Sequence, residues 1–185
     1  VDSNEQVPEV RFNEEETYRI FPRPIAKCAV LVQIPLTNDE QEMPTFIRPS
    51  WGGVQVFYGN YYAIVENGVV VYGSAKDQWL AMHSQIKPGY WVKTAVPTAY
   101  QATATCRIVT LIPSDDGGIR EASYTLEPGD WIVRQPGGEV QHIKAAVFED
   151  IYFSREEARS LGFNLMTDTD FAIWAAAQTG RTSEA

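Results

Sequence analysis

The sequence predicts an α+β fold with a mainly antiparallel sheet, short helices among the strands and C-terminal helices packed on the sheet. Three observations predict it. Short β-branched and aromatic runs, bounded by Pro, Gly, Asn and Asp, recur from Lys27 to Ile143. Helical patterning is confined to brief stretches near Trp79 and Phe148 and to the residues after Ser154. Regular strand–helix–strand alternation, which a parallel sheet needs, is missing.

In chain order, residues 1–24 form a polar lead-in with an acidic run at Glu14, Glu15 and Glu16, read as a solvated arm. Lys27–Ile34 is a short apolar run stopped by Pro35, hence a buried strand. Asn38–Pro44 reads as a polar loop. Val54–Tyr58, Tyr61–Val65 and Val69–Tyr72 read as strands. Asn67-Gly68 joins the last two as a tight hairpin, because both residues tolerate positive φ. Ser74 and Asp77 have the spacing of a capping box opening a helix that buries Ala75, Trp79 and Met82. Strands follow at Tyr90–Thr94, Thr105–Ile112, Ile119–Leu126, Trp131–Arg134 and Val140–Ile143. A helix then begins at Ser154, with Glu157 as its capping partner. Another begins near Thr167 and carries Phe171, Ile173 and Trp174, apolar enough for a core or for self-association into a homo-oligomer. Residues 25–153 are thus an α+β core, 154–179 the C-terminal helices and 180–185 a tail.

The chain also echoes itself. Cys28, Val30, Ile34 and Pro35 match Cys106, Ile108, Ile112 and Pro113 at a spacing of 78. Ile47-Arg48-Pro49 matches Leu126-Glu127-Pro128 at 79. These registers suggest pseudo-repeated halves at 25–83 and 103–152. A competing register, Lys87–Val92 against Glu127–Ile132, runs at 40.

Composition excludes several function classes. The 185 residues carry 24 acidic and 15 basic side chains, a net charge of −9, the wrong sign for non-specific nucleic-acid binding. No apolar run approaches the roughly 20 residues that span a bilayer, so no membrane partner is expected. Cys28 and Cys106 can form neither a disulfide framework nor a four-ligand zinc site, and they suggest a reducing compartment. The polar start Val1-Asp2-Ser3-Asn4-Glu5 lacks secretory character. A soluble cytoplasmic protein is the expectation.

Chemistry-bearing residues are few, and no cofactor or metal is expected. Cys28 and Cys106 lie in apolar strands, where thiols are inert. Glu139 and His142 sit three apart on a predicted strand, which points them to opposite faces and argues against shared metal ligation. The richest cluster is aromatic. Trp51, Tyr58, Tyr61 and Tyr62, with Arg48 and Lys76 nearby, form the candidate ligand-binding set: rings to stack on a planar group, cations to meet a phosphate. Because Tyr61 and Tyr62 must face opposite ways in a strand, some rings either point outward or lie beneath a second layer.

Pro128, Gly129, Asp130 and Trp131, then Gly138-Glu139, Ile143, Phe148 and Tyr152, resemble a small phage and bacterial family named for its Pro-Gly-Asp-Tyr-Gly motif (PGDYG). The likeness covers residues 127–152 and departs from the motif at Trp131 and Ile132. It implies an architectural role, with a turn at Pro128-Gly129, backbone bonds to Asp130 and a helix pinned by Phe148 and Tyr152. By association it also implies nucleotide handling or interference with host defence. The Gly129–His142 stretch also resembles the second metal motif of cupins, without the first.

The leading expectation is a non-catalytic, small-ligand binding protein, nucleotide-like in its preference. The alternatives are an acidic protein-interaction or DNA-mimic inhibitor, and a cupin-like metal-dependent enzyme centred on His142 with Glu139 or Asp130 assisting.

Overall fold

The computed structural model describes residues 9–10, 16–34, 44–49, 54–113 and 119–179, with side chains for all except 9–10, 109–113 and 119–123. Strands β1 (Glu9–Val10), β2 (Tyr18–Arg19), β3 (Ala26–Val32), β4 (Thr45–Ile47), β5 (Gln55–Phe57), β6 (Tyr61–Glu66) and β7 (Val69–Ala75) precede helix α1 (Lys76–Met82). Then come β8 (His83–Lys87), β9 (Tyr90–Lys93), β10 (Thr98–Gln101), β11 (Cys106–Pro113), β12 (Ile119–Leu126), β13 (Trp131–Arg134) and β14 (Val140–Ile143). Helices α2 (Ala145–Ile151), α3 (Arg155–Ser160) and α4 (Asp168–Thr179) close the chain, with a 3-10 turn at Phe163–Leu165. The fold is α+β and mainly antiparallel. No helix among the described residues is long and apolar enough to cross a membrane.

Contacts divide the chain into two compact units. The first is Val1–Arg23 with Val96–Met166; the second is Pro24–Ala95 with Thr167–Ala185. The C-terminal helices are therefore shared out, α3 to the first unit and α4 to the second.

The second unit is a five-stranded sheet in the order β7-β6-β3-β9-β8. Asn67 (φ 52) and Gly68 (φ 78) make the β6–β7 turn in the left-handed region that such a hairpin requires. Strand β6 is covered on both faces. Tyr62 and Ile64 pack with Ala29, Trp79 of α1 and Trp91. Tyr61 and Ala63 pack with Ile47 and Phe57 of the β4–β5 hairpin. The side chain of Gln55 mimics a strand partner: its amide accepts from Gly73 N at 2.9 Å and donates to Gly73 O at 3.2 Å. The expected capping box at Ser74 does not form. Ser74 stays in β7, paired with Tyr62, and α1 starts from Ala75 with no side-chain cap. Lys76 N instead donates to Asn60 O at 3.1 Å. Helix α4 packs on the sheet at β8 and β9, burying Phe171 and Ala175 while Ile173 is left outside at 66% exposure.

The first unit has a four-stranded sheet, β14-β13-β10-β2, extended by a bridge from Pro22 to Tyr152. The long β11–β12 hairpin, with β1 parallel to β11, forms a separate sheet. Part of the stretch read as a solvated arm is core. Ile20 and Phe21 are each 2% exposed, because Ile20 N donates to Pro97 O and β2 pairs with β10. The run at Glu14 and Glu15 lies outside the described residues, as do most of the Asn38–Pro44 loop and the C-terminal tail. Helix α2 is fixed by Phe148, stacked on Trp131 at 3.9 Å. At α3 the Ser154–Glu157 capping box forms in full.

The two units share a topology, but not at the 78-residue spacing. That spacing joins β3, central in its sheet, to β11, which pairs only with β1 and β12. The equivalence runs at 69 to 70. Helix Lys76–Met82 with buried Trp79 corresponds to Ala145–Ile151 with buried Phe148, each leaving at Met82 or Ile151 a carbonyl that accepts from the returning strand segment. Val32 faces Tyr61 and Leu31 faces Tyr62, just as Gln101 faces Trp131 and Tyr100 faces Ile132. Each unit thus reads strand, inserted hairpin, sheet hairpin, seven-residue helix. The difference is a permutation: the strand on the far side of β3 is β9, late in the unit, whereas that beside β10 is β2, from the N-terminal stretch.

Two predictions follow from the second unit. A β-carbon at Gly73 would lie 2.7 Å from the Phe57 ring and 2.9 Å from the Ile47 methyl. Gly73→Ala should therefore cost about 1–3 kcal/mol in denaturant unfolding, the usual range for overpacking. His83 stacks on Trp79 at 3.6 Å and donates from Nδ1 to Trp79 O at 3.2 Å. Burial, aided by Lys93, pushes its pKa from 6.5 down to about 3. The unfolded chain takes up this proton first, so stability should fall as pH drops from 6.5 toward 3. His83→Phe, which keeps the stacking, should flatten that slope in pH-dependent unfolding.

Candidate ligand-binding site

The aromatic set expected around Trp51 is dispersed by the sheet. Tyr61 is 4% and Tyr62 7% exposed, in separate core clusters on the two faces of β6. Tyr61 stacks on Phe57 at 4.4 Å, and Tyr62 meets Trp79 and Trp91. Both rings therefore serve packing. Arg48 and Tyr58 are exposed, Lys76 is half-buried at the start of α1, and Trp51 lies outside the described residues.

The motif residues converge in the first unit on one carboxylate. Asp130 is 4% exposed. Its Oδ2 accepts from Glu127 N at 3.1 Å, His142 Nε2 at 3.0 Å and Lys144 Nζ at 2.9 Å, and its Oδ1 accepts from Ala145 N at 3.0 Å. Burial alone pushes the carboxyl pKa up. The bonds from Lys144, Ala145, Glu127 and His142 together outweigh it and hold the group well below the usual carboxylate range. Gly129, at φ 96, makes the turn that aims Asp130 inward, while Pro128 stays exposed and Trp131 turns to Phe148. Glu139 takes a different partner, accepting from Gln141 Nε2 at 3.0 Å. Asp130 and His142 thus lock a turn to a helix. Among the described residues no three of His, Cys, Asp and Glu gather where a metal ion could be held.

A second constellation in the same unit went unread in the sequence. A pocket of about 300 Å³ lies between the Tyr18–Phe21 stretch, Phe148 of α2, Phe153, the α3 residues Arg155, Ala158 and Arg159, and Asn164. The fold accounts for each wall. Strand β2 brings in Tyr18 and Arg19, the Asp130 lock places α2 with Phe148, and the Ser154 cap starts α3 so that Arg155 and Arg159 share a face one turn apart. Arg19 donates to Met166 O at 2.9 Å and lies over Phe21 at 5.0 Å. Arg155 lies over the Tyr18 ring at 4.7 Å. Burial raises the Tyr18 pKa, with Arg155 opposing, so at neutral pH the phenol keeps its proton and can donate.

Among the described residues no carboxylate lines this pocket. On α3, Glu157 is taken by Arg23 at 2.8 Å and by Ser154 N at 2.8 Å. Those bonds hold its pKa below the usual range. Arg23 in turn covers Phe153 at 4.6 Å and donates to Glu149 O. The missed signal was the pair Arg155 and Arg159, four apart behind a capping box. Its partners, Tyr18 and Arg19, sit near the other end of the sequence and no local pattern links them. No family model, curated protein or solved structure matches this chain.

The Asp130 lock gives the prediction for this site. Asp130→Ala should cost roughly 3–5 kcal/mol, the range for breaking a buried charge pair, because it also orphans the Glu127 and Ala145 amides. The folded pKa is depressed below 3.8, so the stabilisation is complete above that value and lost as pH falls through the folded pKa. Acid unfolding of the variant should accordingly show a shallower limb below pH 3.8 than the parent.

Proposed function

We propose that this chain binds a small organic anion with a planar ring, nucleotide-like in character, in the Arg19–Arg155–Arg159 pocket of its first unit, without catalysis there. One observation carries the reading. In a chain of net charge −9, three guanidinium groups and, among the described residues, no carboxylate surround a pocket walled by Tyr18, Phe21, Phe148 and Phe153. Guanidinium forks recognise anions bidentately, and aromatic walls take a flat ring. The lining holds no histidine, cysteine or carboxylate to act as base or nucleophile, which supports binding over chemistry. This keeps the ligand class expected from sequence and moves it from the Trp51–Tyr62 region, where two of the rings are core.

The test is a calorimetric panel of planar anions (phosphates, carboxylates and sulfonates on aromatic rings) against their neutral analogues. At least one anion should bind better than its neutral analogue. The double variant Arg155→Ala/Arg159→Ala should weaken it by about 100-fold or more, given about 1.5–3 kcal/mol per charged hydrogen bond. Unfolding of the free protein should be unchanged. Undiminished binding by the double variant would place the ligand elsewhere.

A further inference from the structure

We infer that the pocket's ligand is a phosphate monoester of mononucleotide size, with its phosphate held by Arg155 and Arg159 and its ring against the phenylalanines. This rests on the pocket reading above and specifies its ligand.

The argument turns on which cations have unused donors. Arg23 is committed to Glu157 and to Glu149 O, and Arg19 to Met166 O. Arg155 and Arg159 have no hydrogen-bond acceptor among the described residues; Arg155 meets only the Tyr18 ring. Two like charges one helical turn apart repel each other. Two acidic residues lie between them: Glu157 points its carboxylate to Arg23, and Glu156 makes no ion pair with either arginine, so that repulsion stands. An anion bridging the two forks removes it. A carboxylate has two oxygens and satisfies one fork bidentately. A terminal phosphate presents three, enough to engage both. The stacking of Arg155 on Tyr18 fixes one fork before the ligand arrives, which reduces the ordering cost of binding.

Size restricts the rest of the molecule. About 300 Å³ is at the lower end of small-molecule sites, room for one ring system with its phosphate and too little for a dinucleotide. Half-buried Phe153 supplies the accessible apolar wall, backed by the buried Phe21 and Phe148, and Asn164 supplies a polar edge.

The experiment is isothermal titration of the full chain with the four ribonucleoside 5′-monophosphates, the nucleosides, inorganic phosphate and an aromatic carboxylate, at fixed ionic strength. At least one monophosphate should bind one-to-one, and at least tenfold more tightly than its nucleoside, inorganic phosphate or the carboxylate. Arg159→Gln and Arg155→Lys, the latter keeping the charge but losing the fork, should each remove about tenfold of the monophosphate affinity. Both should leave nucleoside binding and thermal unfolding unchanged. A nucleoside or carboxylate that binds as tightly as the monophosphate overturns the phosphate assignment while leaving a planar-ligand site standing. Failure of every planar anion to bind the folded chain overturns both.

Discussion

The buried carboxylate of Asp130 is the constraint on which the first unit depends. Its four hydrogen bonds join the turn at Glu127, strand β14 through His142, the linker through Lys144 and the first residue of α2 through Ala145. Removing a charge from water is costly, and such a group persists only when its lone pairs are satisfied. Here they are, so the geometry of the pieces that satisfy them is fixed. Once α2 is set, Phe148 stacks on Trp131 and Tyr152 and forms a wall of the pocket. The chain then returns to Phe21 and Pro22, and Ser154 starts α3 with its two arginines. A residue outside the pocket lining thereby decides where the pocket side chains sit.

The second unit solves the same problem without a charge. Asn60 is 70 positions before Asp130, at the entry to the matching hairpin. Its Oδ1 accepts from Ile34 N, and its carbonyl accepts from Lys76 N, the first residue of α1. In both units a short polar residue before the hairpin ties its entry to the helix that leaves it. The pocket has no such counterpart. Arg19 faces Thr98 on β10; 69 positions earlier, Ala29 receives Gly89, which has no side chain to offer. The edge formed by β8 and β9 is covered by α4, with Phe171 and Ala175 buried. Shared topology with one-sided chemistry is what a repeated scaffold permits, since function resides in particular side chains and not in the fold.

Much of the fold was legible because its signals are local. Strand limits at Trp131–Arg134, Val140–Ile143 and Ile119–Leu126, the Asn67-Gly68 turn and the Ser154–Glu157 box each depend on residues a few positions apart. Ser74 and Asp77 misled because the same spacing fits a strand end, and pairing of Ser74 with Tyr62 outweighed a cap. The repeat was misjudged for a related reason. Cys-x-β-branched runs ending in Pro recur wherever an apolar strand stops, whereas the true equivalence preserves positions (Trp79 and Phe148, Asn60 and Asp130) and not identities. The pocket residues were hidden by distance. Tyr18 and Arg155 meet only because β2, from the N-terminal stretch, takes the place in its sheet that β9 holds in the other.

The net charge of −9 and a pocket lined by arginines are compatible because the two act over different ranges. Charges on a solvated surface are screened within about 8–10 Å at ordinary salt, so the acidic excess is felt by a distant ligand only weakly. Inside the pocket the field is set by the nearest groups, and those are guanidiniums with Glu157 drawn away by Arg23. The Arg23–Glu157 pair has a modest part in stability, being half-exposed. Its larger effect is on the site: it keeps Glu157, one of the two acidic residues between Arg155 and Arg159, from neutralising them. An acidic chain keeps a positive site by such segregation, and here the pairing of Arg23 with Glu157 leaves Arg155 and Arg159 without an ion-pair partner among the described residues.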